Sequence, residues 1–315
     1  MNNIKVLLVL ITLLISSCVN DSSLQSGWKD ITANIHAKKY NIHELALNKR
    51  PYFNEQAPSL SNLGPVDRDS VPVYKRNGKQ YYHPVYTSKF GINFIDEFLR
   101  NGDKQYLDLA KKVASKLNSY AVLRKDVLLF PYNFDFSLVI KPPSEKMYEP
   151  WYSGMAQGRI LTLFSRLYQA TGNIKYLHWA QNTFKSFQIT QEQAVDWIAY
   201  IDQDNYYWIE EYPTNNPMHV LNGFIFGIFG LYDYYLISHD PECLKIMNAA
   251  ITTVEHYISD FRNPGHLSFY GLKYKRQKEH YHYVHIYELN MLHKITGDHY
   301  FKAMADSLKM DYYNK

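Results

Sequence analysis

The chain has 315 residues, of which 46% are hydrophobic, 20% charged and 16% aromatic. That excludes a disordered polymer, which needs lower hydrophobicity and a larger net charge, and leaves one large domain or two ordinary ones with ample apolar residue for a core. Lys and Arg number 34 against 30 Asp and Glu, a formal charge of +4; this is too mild and too scattered for a dedicated nucleic-acid binder, though it suits a protein that meets an anionic ligand locally. Tyrosine is the outlier, with 29 residues against 16 Phe and 5 Trp. Most of these serve packing, but ring and hydroxyl together also suit sugar stacking and proton transfer.

At the N-terminus, Met1–Asn3 and Lys5 precede an apolar run from Val6 to Ile15, followed by Ser16, Ser17 and Cys18. A short basic start, an apolar segment and small residues before a cleavage point describe an export signal, and the run falls short of the roughly twenty apolar residues that a membrane span needs. Ile15-Ser16-Ser17-Cys18 resembles the lipobox of bacterial lipoproteins. On that resemblance residues 1–17 are removed, and Cys18 carries lipid that anchors the exported chain to a bacterial membrane, at the outer membrane or cell surface. Cys243 is the only other cysteine, so no internal disulfide framework is expected, and its setting reads as a small buried hydrophobe at a helix start.

Residues 18–85 read as a tether, an irregular arm and a β-hairpin, the last signalled by Asn77-Gly78 between alternating residues. From Tyr86 the period becomes helical, with Phe90, Phe94, Ile95 and Phe98 on one face and Leu107, Ala110, Val113, Ala114 and Leu117 on the next. A weak repeat follows. Asn101-Gly102-Asp103 is echoed by Thr171-Gly172-Asn173 and Thr296-Gly297-Asp298, and in degenerate form by Ser238-His239-Asp240. In each, one helix ends near a Gly and an Asp or Asn caps the next. Each interval holds two helices, so the expected architecture is all-α: helical hairpins forming an open solenoid or, favoured by aromatic connections that would crowd one rim, an α/α toroid over residues 86–315 with a central cleft.

Three segments place polar and aromatic groups in breaks between helices. In Tyr148 to Arg159, tight packing accounts for Gly154, Ala156 and Gly158, whereas Trp151, Tyr152, Gln157 and Arg159 are candidate ligand contacts. In Trp208 to Pro213, adjacent Glu210 and Glu211 beside Tyr212 suit neither a helix nor a strand; His219 to Phe224, with Asn222, then enters an apolar helix. The third runs from Phe269-Tyr270-Gly271-Leu272-Lys273 to His280-Tyr281-His282-Tyr283-Val284-His285. His282 and His285 share a helical face as a metal pair would, but without a third ligand in register structural or substrate hydrogen bonds are favoured.

Together these segments resemble the C-terminal domain of the D-glucuronyl C5-epimerases, which act on heparosan and heparan precursors. The matching text is Trp151-Tyr152-Ser153-Gly154-Met155-Ala156-Gln157-Gly158, Glu210-Glu211-Tyr212-Pro213, Val220-Leu221-Asn222-Gly223-Phe224, Gly230-Leu231-Tyr232-Asp233, and Tyr281-His282 with His285-Ile286. The large β-rich N-terminal part of the animal enzymes has no counterpart, since Asp21–Tyr82 is too short to replace it. The resemblance implies an α/α toroid and inversion at C5 of D-glucuronate to L-iduronate. That reaction needs two proton carriers flanking the ring and positive or hydrogen-bonding groups on the carboxylate. It also implies Glu211 and Tyr281 as the carriers, Tyr212 and Tyr270 as orienting or relaying groups, and Trp151, Tyr152, Gln157, Arg159, Asn222, Lys273, His282 and His285 as substrate contacts. A free Tyr ionises near about pH 10, so a basic neighbour has to favour its phenolate. Lys273 stands where the animal enzymes carry Arg, which loses bidentate carboxylate geometry. No cofactor and no catalytic metal are required. The expected partners are an anionic uronic-acid polysaccharide, a membrane through the lipid anchor and a second copy in a homodimer, with no nucleic acid. A uronic-acid polysaccharide lyase, which shares the first proton abstraction, and a non-catalytic glycan-binding lipoprotein are the alternatives.

Overall fold

Four sharp turns set the rhythm of the chain. In the computed structural model, which describes residues 34–53, 55–138 and 145–313, Gly102, Gly172, His239 and Gly297 all adopt positive φ at a helix C-cap. There the N–H of each closes on the carbonyl four residues back. One residue further on, Asp103, Asn173, Asp240 and Asp298 each accept a hydrogen bond from the backbone N–H two residues ahead, capping the next helix. The degenerate copy of the repeat thus uses His239 where the others use glycine. The result is four helical hairpins: α1 (Pro84–Asn101) with α2 (Lys104–Tyr120), α3 (Gly154–Thr171) with α4 (Ile174–Phe184), α5 (Leu221–Ser238) with α6 (Pro241–Phe261), and α7 (Glu279–Thr296) with α8 (His299–Tyr313).

The first helix of each hairpin faces inward: α1 packs on α3, α3 on α5 and α5 on α7, while the second helices back them. This is the layering of an α/α toroid. Composition follows position. α5 is buried on nearly every side from Leu221 to Tyr234, as its continuous apolar run requires, whereas α2 buries only Leu109, Ala110, Val113, Ala114 and Leu117. The backbones of α3 and α5 nearly touch. A Cβ on Gly158 would lie 2.6 Å from Gly227 Cα, and one on Gly230 would lie 2.2 Å from the Gly158 carbonyl oxygen, so side chains there would push the helices apart.

Ile35–Lys315 is the second of the chain's two units, and the export segment with Cys18 lies outside the described residues. Within the second unit, residues 35–56 run past the C-terminal ends of the inner helices without regular structure beyond one short 3-10 turn. The His43 N–H donates to Ile295 of α7, the Leu45 N–H to Tyr232 of α5, Arg50 to Gln169 of α3, and Arg100 of α1 to the Phe53 carbonyl. Beside them, fully buried Arg166 donates to Asp96 at 2.6 Å, to Asp233 at 2.9 and 3.1 Å and to the Pro51 carbonyl at 2.8 Å. It joins α1, α3, α5 and the arm, and removing one member of such a buried ion cluster costs about 3–5 kcal/mol.

The hairpins are not the whole of the regular structure, so the all-α expectation needs amending to mainly helical. Among the described residues, four two-stranded antiparallel ladders occupy the connections: β1 (Tyr74–Arg76) with β2 (Lys79–Tyr81), β3 (Val122–Arg124) with β4 (Val127–Leu129), β5 (Phe136–Ser137) with β6 (Lys146–Met147), and β7 (Ala199–Ile201) with β8 (Tyr207–Ile209). In the first, Asn77 and Gly78 take φ of 48° and 75° between paired Arg76 and Lys79, as a two-residue primed turn requires. Every ladder leads toward the N-terminus of an inner helix, opposite the arm. Cys243 is buried and donates its thiol to the Leu231 carbonyl.

Candidate active site

The adjacent carboxylates after β8 go different ways. The Glu210 backbone is held on both sides, its N–H donating to the Ile198 carbonyl and its carbonyl accepting from Gly154. Its side chain turns to His219, 2.6 Å from Nδ1, whose ring stacks on Trp208 at 4.0 Å. Glu211 points the opposite way and is buried against α5, where Gly223 makes room for it: a Cβ there would stand 2.4 Å from Glu211 Oε2. No cation compensates this burial among its strongest influences, so desolvation lifts the carboxyl from 4.5 to about 7, against the pull of hydrogen bonds from Tyr212 and Tyr270. One carboxylate is paired with a histidine, and the other is buried with a proton affinity near neutral pH.

Three phenols gather round Glu211. Tyr270 donates to Glu211 Oε2 at 3.2 Å and lies 3.3 Å from the Tyr212 hydroxyl. The Tyr281 ring packs 4.3 Å from that of Tyr270. The loop carrying Tyr270 is sewn to the start of α5, the Leu221 N–H donating to the Tyr270 carbonyl and the Leu272 N–H to that of His219. Burial and the Glu211 charge push all three phenols up. Tyr281 is held as the phenol, which runs against the expectation that a basic neighbour favours its phenolate.

The remaining residues expected at the site divide. Trp151 lines the cleft in front of Glu211, its indole N–H donating to the Phe134 carbonyl and its ring stacked on Tyr132 at 3.9 Å. Asn222, in the first turn of α5, is buried beside Gly223 with Oδ1 unpaired. Gln157 departs from the ligand role: its amide bonds the Leu128 carbonyl, Ser186 and the Phe130 N–H within the core, using both of its donors. His282 accepts from the Ser268 N–H and donates to the Leu308 carbonyl, and His285 meets Ser268 Oγ at 2.8 Å. Both are fully buried and kept neutral, His285 down at about 3, and they fasten the Tyr270 loop to α7. Among the described residues no third His, Cys, Asp or Glu completes a metal group. Arg159 lies deeper, its guanidinium 4.6 Å from the Tyr52 ring centre; Tyr152 faces Arg124 and Asp196. Lys273 is engaged by Glu145 and the Asn216 carbonyl.

The cleft itself, about 100 Å³, is lined by Tyr74, Arg76, His83, Val85, Tyr132, Phe134, Phe136, Trp151, Ser153, Glu211 and Tyr212. Its aromatic wall is continuous: Phe136 stacks on Tyr212 at 5.4 Å and lies 5.9 Å from Trp151. Such a wall suits the apolar faces of a sugar ring, with Glu211 at its end. His83 caps α1, its Nδ1 accepting from the Tyr86 N–H, and burial brings it down to about 4, so it is a neutral donor at physiological pH. The contributions of Arg76, His83, Tyr132, Phe134 and Phe136 were missed from sequence. The available signal was that Tyr74 and Arg76, two apart, share one face of a strand.

Comparison with known proteins places this geometry. Residues 124–310 match the family model described as D-glucuronyl C5-epimerase C-terminus. An uncharacterized protein of Methanocaldococcus jannaschii is 26% identical over 54% of this chain and 54% of its own length. The D-glucuronyl C5-epimerase of Caenorhabditis elegans is 26% identical over 50% of this chain and 28% of its own. The chain therefore spans about half or less of the length of these relatives. A sugar epimerase from a ruminal bacterium superposes with TM-score 0.53 at 14% identity, over 75% of this chain and 61% of that one, a likeness of fold.

Proposed function

Since the chain belongs to the family of D-glucuronyl C5-epimerase C-terminal domains, we propose that it is a carbohydrate epimerase inverting C5 of D-glucuronate to L-iduronate in a heparosan-like or related uronic-acid polysaccharide. The observation that carries this is the buried Glu211 carboxyl, raised to about 7 and hydrogen-bonded to Tyr270 at the end of an aromatic cleft. Glu211 takes the C5 proton, and the C–H electron pair moves into the adjacent carboxylate as an enolate. Tyr281 delivers a proton to the other face, leaving its phenolate. Glu211 then holds the abstracted proton while Tyr281 lacks one, and Tyr270 stands between them as the relay that returns it. The chemistry is supplied by side chains of this chain.

Incubating a heparosan-like polymer with the protein in heavy water tests this reading. Deuterium at C5 and L-iduronate without chain shortening are expected. Ultraviolet-absorbing unsaturated ends would indicate a lyase, and uronate binding without exchange would indicate a glycan-binding protein; either overturns the proposal. We further propose lipidation at Cys18 as the anchor. Among the described residues no helix is long and apolar enough to cross a membrane. A mature chain whose Cys18 carries no lipid by mass spectrometry would refute the anchor.

A further inference from the structure

Removing a proton beside a carboxylate puts further negative charge on that carboxylate, so a cation at that group does more for the transition state than for the bound sugar. The cations near Glu211 differ in availability. Lys273 is committed to Glu145 and the Asn216 carbonyl, Arg159 lies over Tyr52 and Phe226 with Glu55 at 3.9 Å, and Arg276 donates to the Leu138 carbonyl. Arg76 differs. It lines the same cleft as Glu211 and Tyr212, and among the described residues its guanidinium has no ion-pair partner within 4.0 Å. It lies 4.8 Å from the Phe134 ring centre and 5.8 Å from that of Phe136, the ring that stacks on Tyr212. The two rings hold a planar cation in place without using its N–H donors, which stay available for a bidentate acceptor.

We infer that Arg76, carried by the β1–β2 hairpin, is the carboxylate-binding residue of this cleft and selects hexuronate over neutral hexose. The inference rests on the reading of the cleft as a uronate site. It moves the carboxylate clamp from Lys273, expected from sequence, to the hairpin that precedes α1, and so makes that hairpin part of the substrate site.

The test is binding, measured separately from turnover, with a heparosan tetrasaccharide and its carboxyl-reduced counterpart. Wild-type protein should prefer the carboxylate form, and Arg76→Gln should weaken that form about tenfold or more while leaving the reduced form unchanged. Arg76→Lys should recover part of the preference. Preserved preference in Arg76→Gln, equal loss of both ligands, or no preference in wild type would each overturn the assignment. Loss of C5 exchange in wild type would instead overturn the epimerase reading, with the binding comparison still deciding the role of Arg76.

Discussion

A carboxylate kept for chemistry in a buried place is a burden on the fold, and Glu211→Gln measures it. In the folded chain the carboxyl sits at about 7 instead of 4.5, so the folded state holds its proton more tightly than the unfolded state does. Stability from this group is therefore complete below about pH 4.5 and is lost as pH rises through 7. At 1.36 kcal/mol per pKa unit the loss amounts to about 3 kcal/mol. Glutamine keeps the shape and the acceptor for Tyr270 but does not titrate. Urea unfolding of both proteins at acid and mildly alkaline pH should show the variant gaining about 3 kcal/mol on wild type between the two conditions, or roughly 5–10 °C in melting temperature. The difference between conditions is decisive, because any fixed cost of the amide is the same in both. The variant should have no epimerase activity at either pH. A pH-independent offset, or a wild type that gains on the variant as pH rises, would refute the account of Glu211 as a desolvated carboxylate.

Under the proposed reaction, C5 exchange should rise with ionisation of Glu211 and reach half its limiting rate near pH 7; a midpoint near 4.5 would mean the base is solvated or is another group. Tyr270→Phe keeps the ring against Tyr281 and removes only the hydroxyl that bonds Glu211. Its steady-state rate should fall about 100-fold or more with an unchanged melting temperature, and normal turnover would exclude the relay. Gly223→Ala places a methyl 2.4 Å from Glu211 Oε2, so exchange should be lost while the circular dichroism of the fold persists; full activity would show that Glu211 does not rest there during catalysis.

The repeat was readable because its signals are local. A helix end at Gly102, Gly172 or Gly297 and a cap one residue later need only the chain's own backbone. Glu211, Tyr212, Tyr270 and Tyr281 were readable as a family pattern, and they converge. Which of two adjacent glutamates faces the cleft was not readable from local chemistry, because it is decided by the Ile198 carbonyl, His219 and Gly223. The same limit affects Gln157, which bonds the Leu128 carbonyl, His282, which bonds the Ser268 N–H and the Leu308 carbonyl, and His285, which bonds Ser268 Oγ. From sequence, a polar side chain on an inner helix is equally a ligand contact or a brace. The hydrogen bonds of these three make them braces.

The two ends of the inner helices do different work, and the connections explain why. Within each hairpin the link is a turn of two residues, a positive-φ cap followed by an Asp or Asn. At that end the arm and the Arg166 cluster lock α1, α3 and α5 together. Between hairpins the links are long, and the opposite end of the ring collects all of them. Groups from β1, from the Phe134–Phe136 stretch, from Glu211 after β8 and from the Tyr270 loop can therefore meet although they are far apart in sequence. The arm ties α7 and α5, the helices that carry Tyr281 and Asn222, through Ile295 and Tyr232, and the glycine contact draws α3 close to α5. Under the proposed reaction, proton transfer between Glu211 and Tyr281 needs constant spacing, since hydrogen bonds require donor and acceptor within about 2.5–3.2 Å and well aligned. Recognition of the sugar, in contrast, is assigned to the connections, where sequence can change without moving the ring.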